Sequence, residues 1–216
     1  MRSKIEQFYK NVLTGSGKYI TDFALLMTCG IFIFVLPIIP LATGWISITL
    51  FSVIIFLAAS SISLRVIIVG LVAIILEWIT RATDLIYLNY FAELTTNLFI
   101  IYMVGSVVIQ IMKREDVTIY TLIEALNGYL LLAIMFVSLV SFCELHLPGS
   151  FSGTHKSGLE LTYYTVITLT TTGYGDVTPQ LPLAKSLSML ISVAGQFYVA
   201  VIVAILVGKY SSGIKK

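Results

Sequence analysis

The chain has 216 residues, of which 58% are hydrophobic and 11% charged, with a formal net charge of +2. A soluble domain carries about 25% charged residues, so this chain cannot clothe a water-facing surface and reads as an integral membrane protein. No nucleophile–base pairing, metal cluster or phosphate loop is visible, so no catalytic role and no nucleic-acid partner are expected. Cys29 and Cys143 each lie inside an apolar segment, where two isolated thiols are packing residues rather than a disulfide or metal framework.

In chain order, an N-terminal segment (1–21) precedes six apolar segments at about 22–39, 44–60, 63–80, 92–112, 122–145 and 183–208. Each has about the length that a helix needs to cross ~30 Å of hydrocarbon. The sequence Leu26-Met27-Thr28-Cys29 fits a lipoprotein cleavage site poorly, and the apolar stretch runs on to Pro40, so the first segment is expected to be a retained span. A tight turn over Pro40–Gly44, including Leu41 and Thr43, joins it to the second. Trp45 and Trp78 suit an interfacial aromatic belt. Glu77, Asp84 and Glu93 read as interface-facing acids.

With the N-terminus in the cytoplasm, Arg2, Lys4, Lys10, Lys18, Arg65, Lys113, Arg114, Lys209, Lys215 and Lys216 fall on the inner side. Only Arg81, Lys156 and Lys185 fall outside. The positive-inside rule therefore places both termini in the cytoplasm and the loop at about 146–182 outside. Residues 113–126 read as a cytoplasmic amphipathic linker feeding the fifth span. The fourth segment, 92–112, holds no arginine, and Lys113 and Arg114 come only at its inner end. A voltage sensor needs several charges along that helix, each worth ~2.3 kcal/mol per 100 mV, so strong voltage gating is not expected.

The outer loop contains SGLELTYYTVITLTTTGYGDVTPQLP at 157–182. Ser157-x-x-Glu160 is a capping box, which predicts a helix from about Gly158 to about Thr170, roughly 20 Å long. That is too short to span, so the helix enters from outside and stops partway. Its open C-terminal carbonyls would favour a cation. The extended run that follows has glycines at 173 and 175, which allow backbone angles that other residues resist. Irregular backbone at membrane depth is tolerated where it lines an ion or water path. Carbonyls turned to one axis in four chains would form rings that replace the hydration shell of K⁺, with the Thr171 hydroxyl adding to the first ring.

Thr-x-Gly-Tyr-Gly-Asp after a Thr-rich short helix, with Pro179 and a further apolar span beyond it, resembles the signature of potassium channels. The likeness covers about 117–210 and is nearest to small bacterial members with four spans ahead of the pore. It implies an all-α membrane protein of six transmembrane helices, with a re-entrant pore helix and filter loop between the fifth and sixth. It further implies a four-helix region (22–112) like a degenerate sensor domain, the linker, a pore domain (127–208) and a short cytoplasmic tail (209–216). The implied function is passive, K⁺-selective conduction through a homotetramer in a bacterial inner membrane, with lipids as neighbours and K⁺ ions but no organic cofactor in the filter. Thr171, Thr172, Gly173, Tyr174 and Gly175 would line that filter, K⁺ lying at Thr171 to Tyr174. Asp176, Tyr163 and Tyr164 would support it, with a Tyr163–Asp176 hydrogen bond as a brace, and Gly195 falls at the inner-helix hinge.

Two residues depart from the family pattern. Thr172 occupies the commonest Val position, and Ile167 stands where some members carry a carboxylate behind the filter. Gly195 reads equally as hinge or packing glycine, and Gln196 as cavity lining or as a partner to another helix. With eight residues after the last span, gating is expected to arise in the filter, the inner helices, lipid or a separate partner. A weakly selective monovalent cation channel and a non-conducting membrane subunit are the alternative functions.

Overall fold

A computed structural model describes residues 16–39, 44–82, 86–113, 117–153 and 158–213. They form α1 (Ser16–Gly30), α2 (Gly44–Ser60), α3 (Leu64–Ala82), α4 (Ile86–Lys113), α5 (Ile119–His146), α6 (Gly158–Leu169) and α7 (Pro182–Gly213). Among the described residues, four stretches are long and apolar enough to cross a membrane: Lys18–Val35, Tyr90–Lys113, Ile119–His146 and Pro182–Ser211. α2 is apolar but shorter, and α3 carries Arg65, Glu77 and Arg81 within its 19 residues. The protein is thus an all-helical, multi-pass membrane protein. The turn at 40–43, Asp84, His155 and Ser157 lie outside the described residues.

The chain divides into two compact units, residues 1–113 with 118–128, and residues 114–117 with 129–216. In the first, each helix packs on its sequence neighbour, α1 on α2, α2 on α3 and α3 on α4. Pro37 explains the end of the first helix. It has no N–H to give the carbonyl four residues back, and the ladder widens to a π-turn over Ile31–Val35 before a 3₁₀ turn over Leu36–Ile38. At the α3–α4 contact, a Cβ on Gly70 would lie 3.2 Å from the Phe99 ring, so the small residue lets the helices close. The Trp45 and Trp78 rings lie 5.8 Å apart, and Trp78 donates to Ser52 at 3.1 Å. Glu77, expected at the interface, is buried.

A polar knot ties α1 to the start of α5. Lys18 Nζ lies 2.8 Å from Glu124 Oε1, with the two side chains 14% and 9% exposed. Asn127 donates to the Asp22 carbonyl at 2.8 Å, and the Ser61 hydroxyl donates to the Asp22 carboxylate at 2.7 Å. Tyr19 stacks on Tyr120 with centroids 3.6 Å apart. The linker expected at 113–126 overlaps the start of α5. α5 begins at Ile119 and runs unbroken to His146. The Thr121 hydroxyl accepts from the Thr118 backbone N–H at 3.2 Å, which is the return half of a capping box.

In the second unit, residues 131–137 of α5 are all buried, as befits a helix apolar all round. The Tyr129 and Tyr198 rings, 5.6 Å apart, join α5 to α7. Cys29 and Cys143 are buried and free.

Removing one partner of a buried ion pair costs roughly 3–5 kcal/mol, whereas replacing both by apolar groups is often neutral. Lys18→Met alone should therefore lower the thermal midpoint of the detergent-solubilised protein, and Lys18→Met with Glu124→Leu should recover most of the loss. Equal losses in the single and double variants would show that the pair is not coupled.

Candidate functional site

α6 is short, and its buried residues include Thr162 and Thr165 as well as Leu161, Tyr164, Ile167 and Leu169. Buried hydroxyls cost free energy unless bonded. Here Thr162 donates to the Gly158 carbonyl at 2.7 Å and Thr165 to the Leu161 carbonyl at 2.6 Å, so both are satisfied within the helix. Glu160 in the first turn suits the positive end of the helix dipole.

The helix ends in a Schellman-type cap. The Thr171 N–H reaches the Thr168 carbonyl at 3.0 Å and the Thr172 N–H reaches the Ile167 carbonyl at 2.8 Å. The Gly173 N–H also reaches Ile167, at 3.1 Å. The open carbonyls expected at 167 and 168 are therefore occupied by the following loop. The left-handed position of such a cap usually falls to glycine, but here Thr171 takes it, at φ +60°. It is the only non-glycine with positive φ among the described residues. For a β-branched residue this costs about 1–2 kcal/mol.

The unusual angle is the first of a series. Gly173 has φ +52° and Gly175 φ +81°, while Thr172 and Tyr174 between them keep negative φ. An extended chain points successive carbonyls to opposite sides. Reversing the handedness at every second residue instead lets them turn the same way. A Cβ on Gly173 or Gly175 would meet nothing within 4 Å, so glycine is required there by backbone angle and not by space. Residues 170–176 are all exposed in the single chain, Tyr174 to 72%.

Around this run sits a frame. Tyr163 donates to Asp176 Oδ2 at 2.8 Å, and the Val177 N–H donates to Oδ1 at 3.0 Å. Tyr164 is buried and bonds through its hydroxyl to Ser188 of α7. Its ring lies 5.0 Å from that of Phe151. The stretch after the run pairs with residues 150–152: Gln180 N–H to the Ser150 carbonyl at 2.7 Å, Ser152 N–H to the Thr178 carbonyl at 2.8 Å. Glu144, near the end of α5, accepts from the Gly149 and Phe151 N–H groups at 3.0 Å each. Sequence reasoning passed over Glu144. The signal was present, because an acid at a helix C-terminus opposes the dipole and needs a compensating partner.

α7 meets the end of α6 along one stripe, Ser188, Ser192, Gly195 and Gln196. A Cβ on Gly195 would sit 2.1 Å from the Leu169 carbonyl oxygen, so the backbones touch and only glycine fits. α7 runs through this point unbroken, which gives a packing reason for the glycine. Gln196 donates from Nε2 to the Thr171 hydroxyl at 3.2 Å. Ile167 is buried behind the run.

Residues 128–211 match a family model described as ion channel, a segment that holds most of α5, all of α6, the run 171–175 and nearly all of α7. No curated protein and no solved structure matches the chain.

Gly195→Ala must displace the end of α6 or part α7 from it, so the thermal midpoint of the detergent-solubilised protein should fall. A wild-type midpoint in that variant would contradict the contact. The hydrogen bond from Tyr163 holds the Asp176 carboxyl below its ordinary value of 3.8, and the same bond raises the Tyr163 hydroxyl above 10.0. The contribution of Asp176 is complete above its unfolded value and is lost as pH falls through the depressed folded one. That of Tyr163 is complete below its unfolded value and is lost as pH rises through the raised one. Thermal stability contributed by this bond should therefore be flat from about pH 5 to 9 and fall beyond both ends. The difference between wild type and Tyr163→Phe, measured across pH, should vanish in acid; a difference that grows in acid would oppose this assignment.

Proposed function

We propose that four copies of this chain form a potassium-selective channel in which residues 171–175 make the filter. The observation that carries the reading is the alternation of left-handed backbone at 171, 173 and 175, which lets consecutive carbonyls serve one axis. One such edge cannot surround an ion, and the exposed run in the single chain is the surface that the other copies would complete. Rings of carbonyls at 171–174 and the Thr171 hydroxyl would replace the hydration shell of K⁺. At Thr172 the ligand is a carbonyl, so discrimination survives the change from Val.

The reading includes six spans, α6 as a re-entrant pore helix, and both ends of the chain in the cytoplasm of a bacterial inner membrane. α2 and α3 complete the six with the four longer apolar stretches. α5 and α7 form the outer and inner pore helices, and the exposed apolar surface of α7 suits contact with other copies and lipid. Gly195 serves as a close-packing joint between filter and inner helix, at which any gating bend of α7 would be felt. α4 has no arginine, and Lys113 is the basic residue of its last turn, so opening depends weakly on voltage.

Purified protein in vesicles with K⁺ on one side and Na⁺ on the other tests this. The reversal potential should lie near that for K⁺, and the conductance–voltage curve should be shallow. Gly173→Ala imposes strain of about 1–2 kcal/mol per copy at φ +52° and should abolish selective current. Equal Na⁺ and K⁺ permeability in the wild type would favour a weakly selective cation channel, and no current at all a non-conducting subunit.

A further inference from the structure

We propose that Gln196 sets the cation affinity of the innermost filter ring, by donating its amide to the Thr171 hydroxyl oxygen. This deepens the channel reading above and rests on it.

A threonine hydroxyl has one proton and two lone pairs. The Thr171 proton is already committed, because its hydroxyl donates to the Thr170 carbonyl at 2.7 Å. Anything else that approaches this oxygen must come as a donor or as a cation. Gln196 approaches within 3.2 Å, and the committed proton dictates which end of its amide faces inward. The Oε1 atom there would set one acceptor against another, so Nε2 is presented. One lone pair of the hydroxyl is thereby occupied by an N–H, leaving the other for an ion.

The neighbouring hydroxyls bond to one another. Thr170 Oγ1 lies 3.0 Å from the Val166 carbonyl, to which it donates, and 3.0 Å from Thr172 Oγ1. The Thr172 proton is then the one shared between those two side chains. The close approach at Gly195, next in the chain, is what brings the Gln196 amide within reach: a bulkier residue there would push α7 outward. In four copies, four amide N–H dipoles, each positive end first, would surround the inner mouth. They compete with a cation for the hydroxyl oxygens and weaken that ring relative to an apolar residue at the same place. An ion would leave the inner ring for the cytoplasm more readily, and withdrawal of α7 would strengthen the ring and slow that departure. Gln196 is thus a positioning residue that acts through Thr171.

Block by Ba²⁺ applied from the cytoplasmic side reads this ring, because Ba²⁺ is close to K⁺ in size with twice the charge. In reconstituted channels, Gln196→Leu removes the donor and should lower the half-blocking Ba²⁺ concentration by about fivefold or more, the scale of one net hydrogen bond. Gln196→Asn, one methylene too short to reach, should shift block in the same direction and serves if the leucine variant does not assemble. Gln196→Glu should tighten block further. A loosened filter would instead carry the K⁺/Na⁺ reversal potential along with Ba²⁺ affinity, whereas here Ba²⁺ affinity should move by far the more. A conducting, K⁺-selective wild type whose Leu and Asn variants keep Ba²⁺ block within twofold overturns this inference alone. Tightening by Glu only, with Leu and Asn unchanged, also overturns it, since charge near the mouth would then suffice. A wild type without K⁺-selective current overturns the channel reading first, and this one with it.

Discussion

The backbone at Thr171 is the constraint on which the rest of this site depends. A β-branched residue in the left-handed region stands against an intrinsic preference, and it persists only where the surroundings over-determine it. Three features do so. The Schellman-type cap uses the Thr171 and Thr172 N–H groups to close the end of α6. The Thr171 hydroxyl is bonded on both sides, to Thr170 and Gln196. Contact between Gly195 and the Leu169 carbonyl blocks the end of α6 from relaxing toward α7. Glycine would occupy the same backbone angle without strain, but it brings no hydroxyl. The residue type there is a compromise between local conformation and the hydroxyl that Thr170 and Gln196 bond.

From that point outward the structure is a set of restraints on a run with few contacts of its own. A Cβ added at 173 or 175 would meet nothing, so side-chain packing does not set their geometry and the two ends of the run do. The inner end is fixed by the cap on α6. The outer end is fixed by Asp176, held by Tyr163, and by pairing of residues 178–180 with the loop that Glu144 organises. Polar atoms in this apolar protein are concentrated where they hold backbone, and most satisfy one another within a few residues, as the Thr162 and Thr165 hydroxyls do. The matched family segment coincides with this part of the chain.

What could be read in advance divides along the same line. Helices were legible because apolar runs of membrane-crossing length announce themselves, and α6 ends within a residue of the predicted Gly158 to Thr170. The Gly173/Gly175 pair was legible because glycine signals its own backbone angles. Thr171 was not, because threonine signals the opposite. The Gly195 contact joins residues 26 positions apart in the chain (Leu169 and Gly195), and no local pattern separates a packing glycine from a hinge. Gln196 could be assigned a partner only once the Thr171 proton had a direction. The Lys18–Glu124 ion pair likewise has no local mark, because it joins α1 to the start of α5. Where the fifth span's helix begins inside 113–126 had no clear local mark, and the Thr118–Thr121 cap sets that start at Ile119.

The central claim is that backbone oxygens from several copies share one line with a dehydrated cation. It is tested most directly by determining the structure of the assembled protein in Tl⁺ or Rb⁺ and locating those ions by their anomalous signal. The account predicts fourfold symmetry with a file of ion peaks on the axis, flanked by the carbonyls of residues 171–174. Peaks absent from that axis, or carbonyls at Gly173 and Tyr174 turned outward from it, would contradict the account.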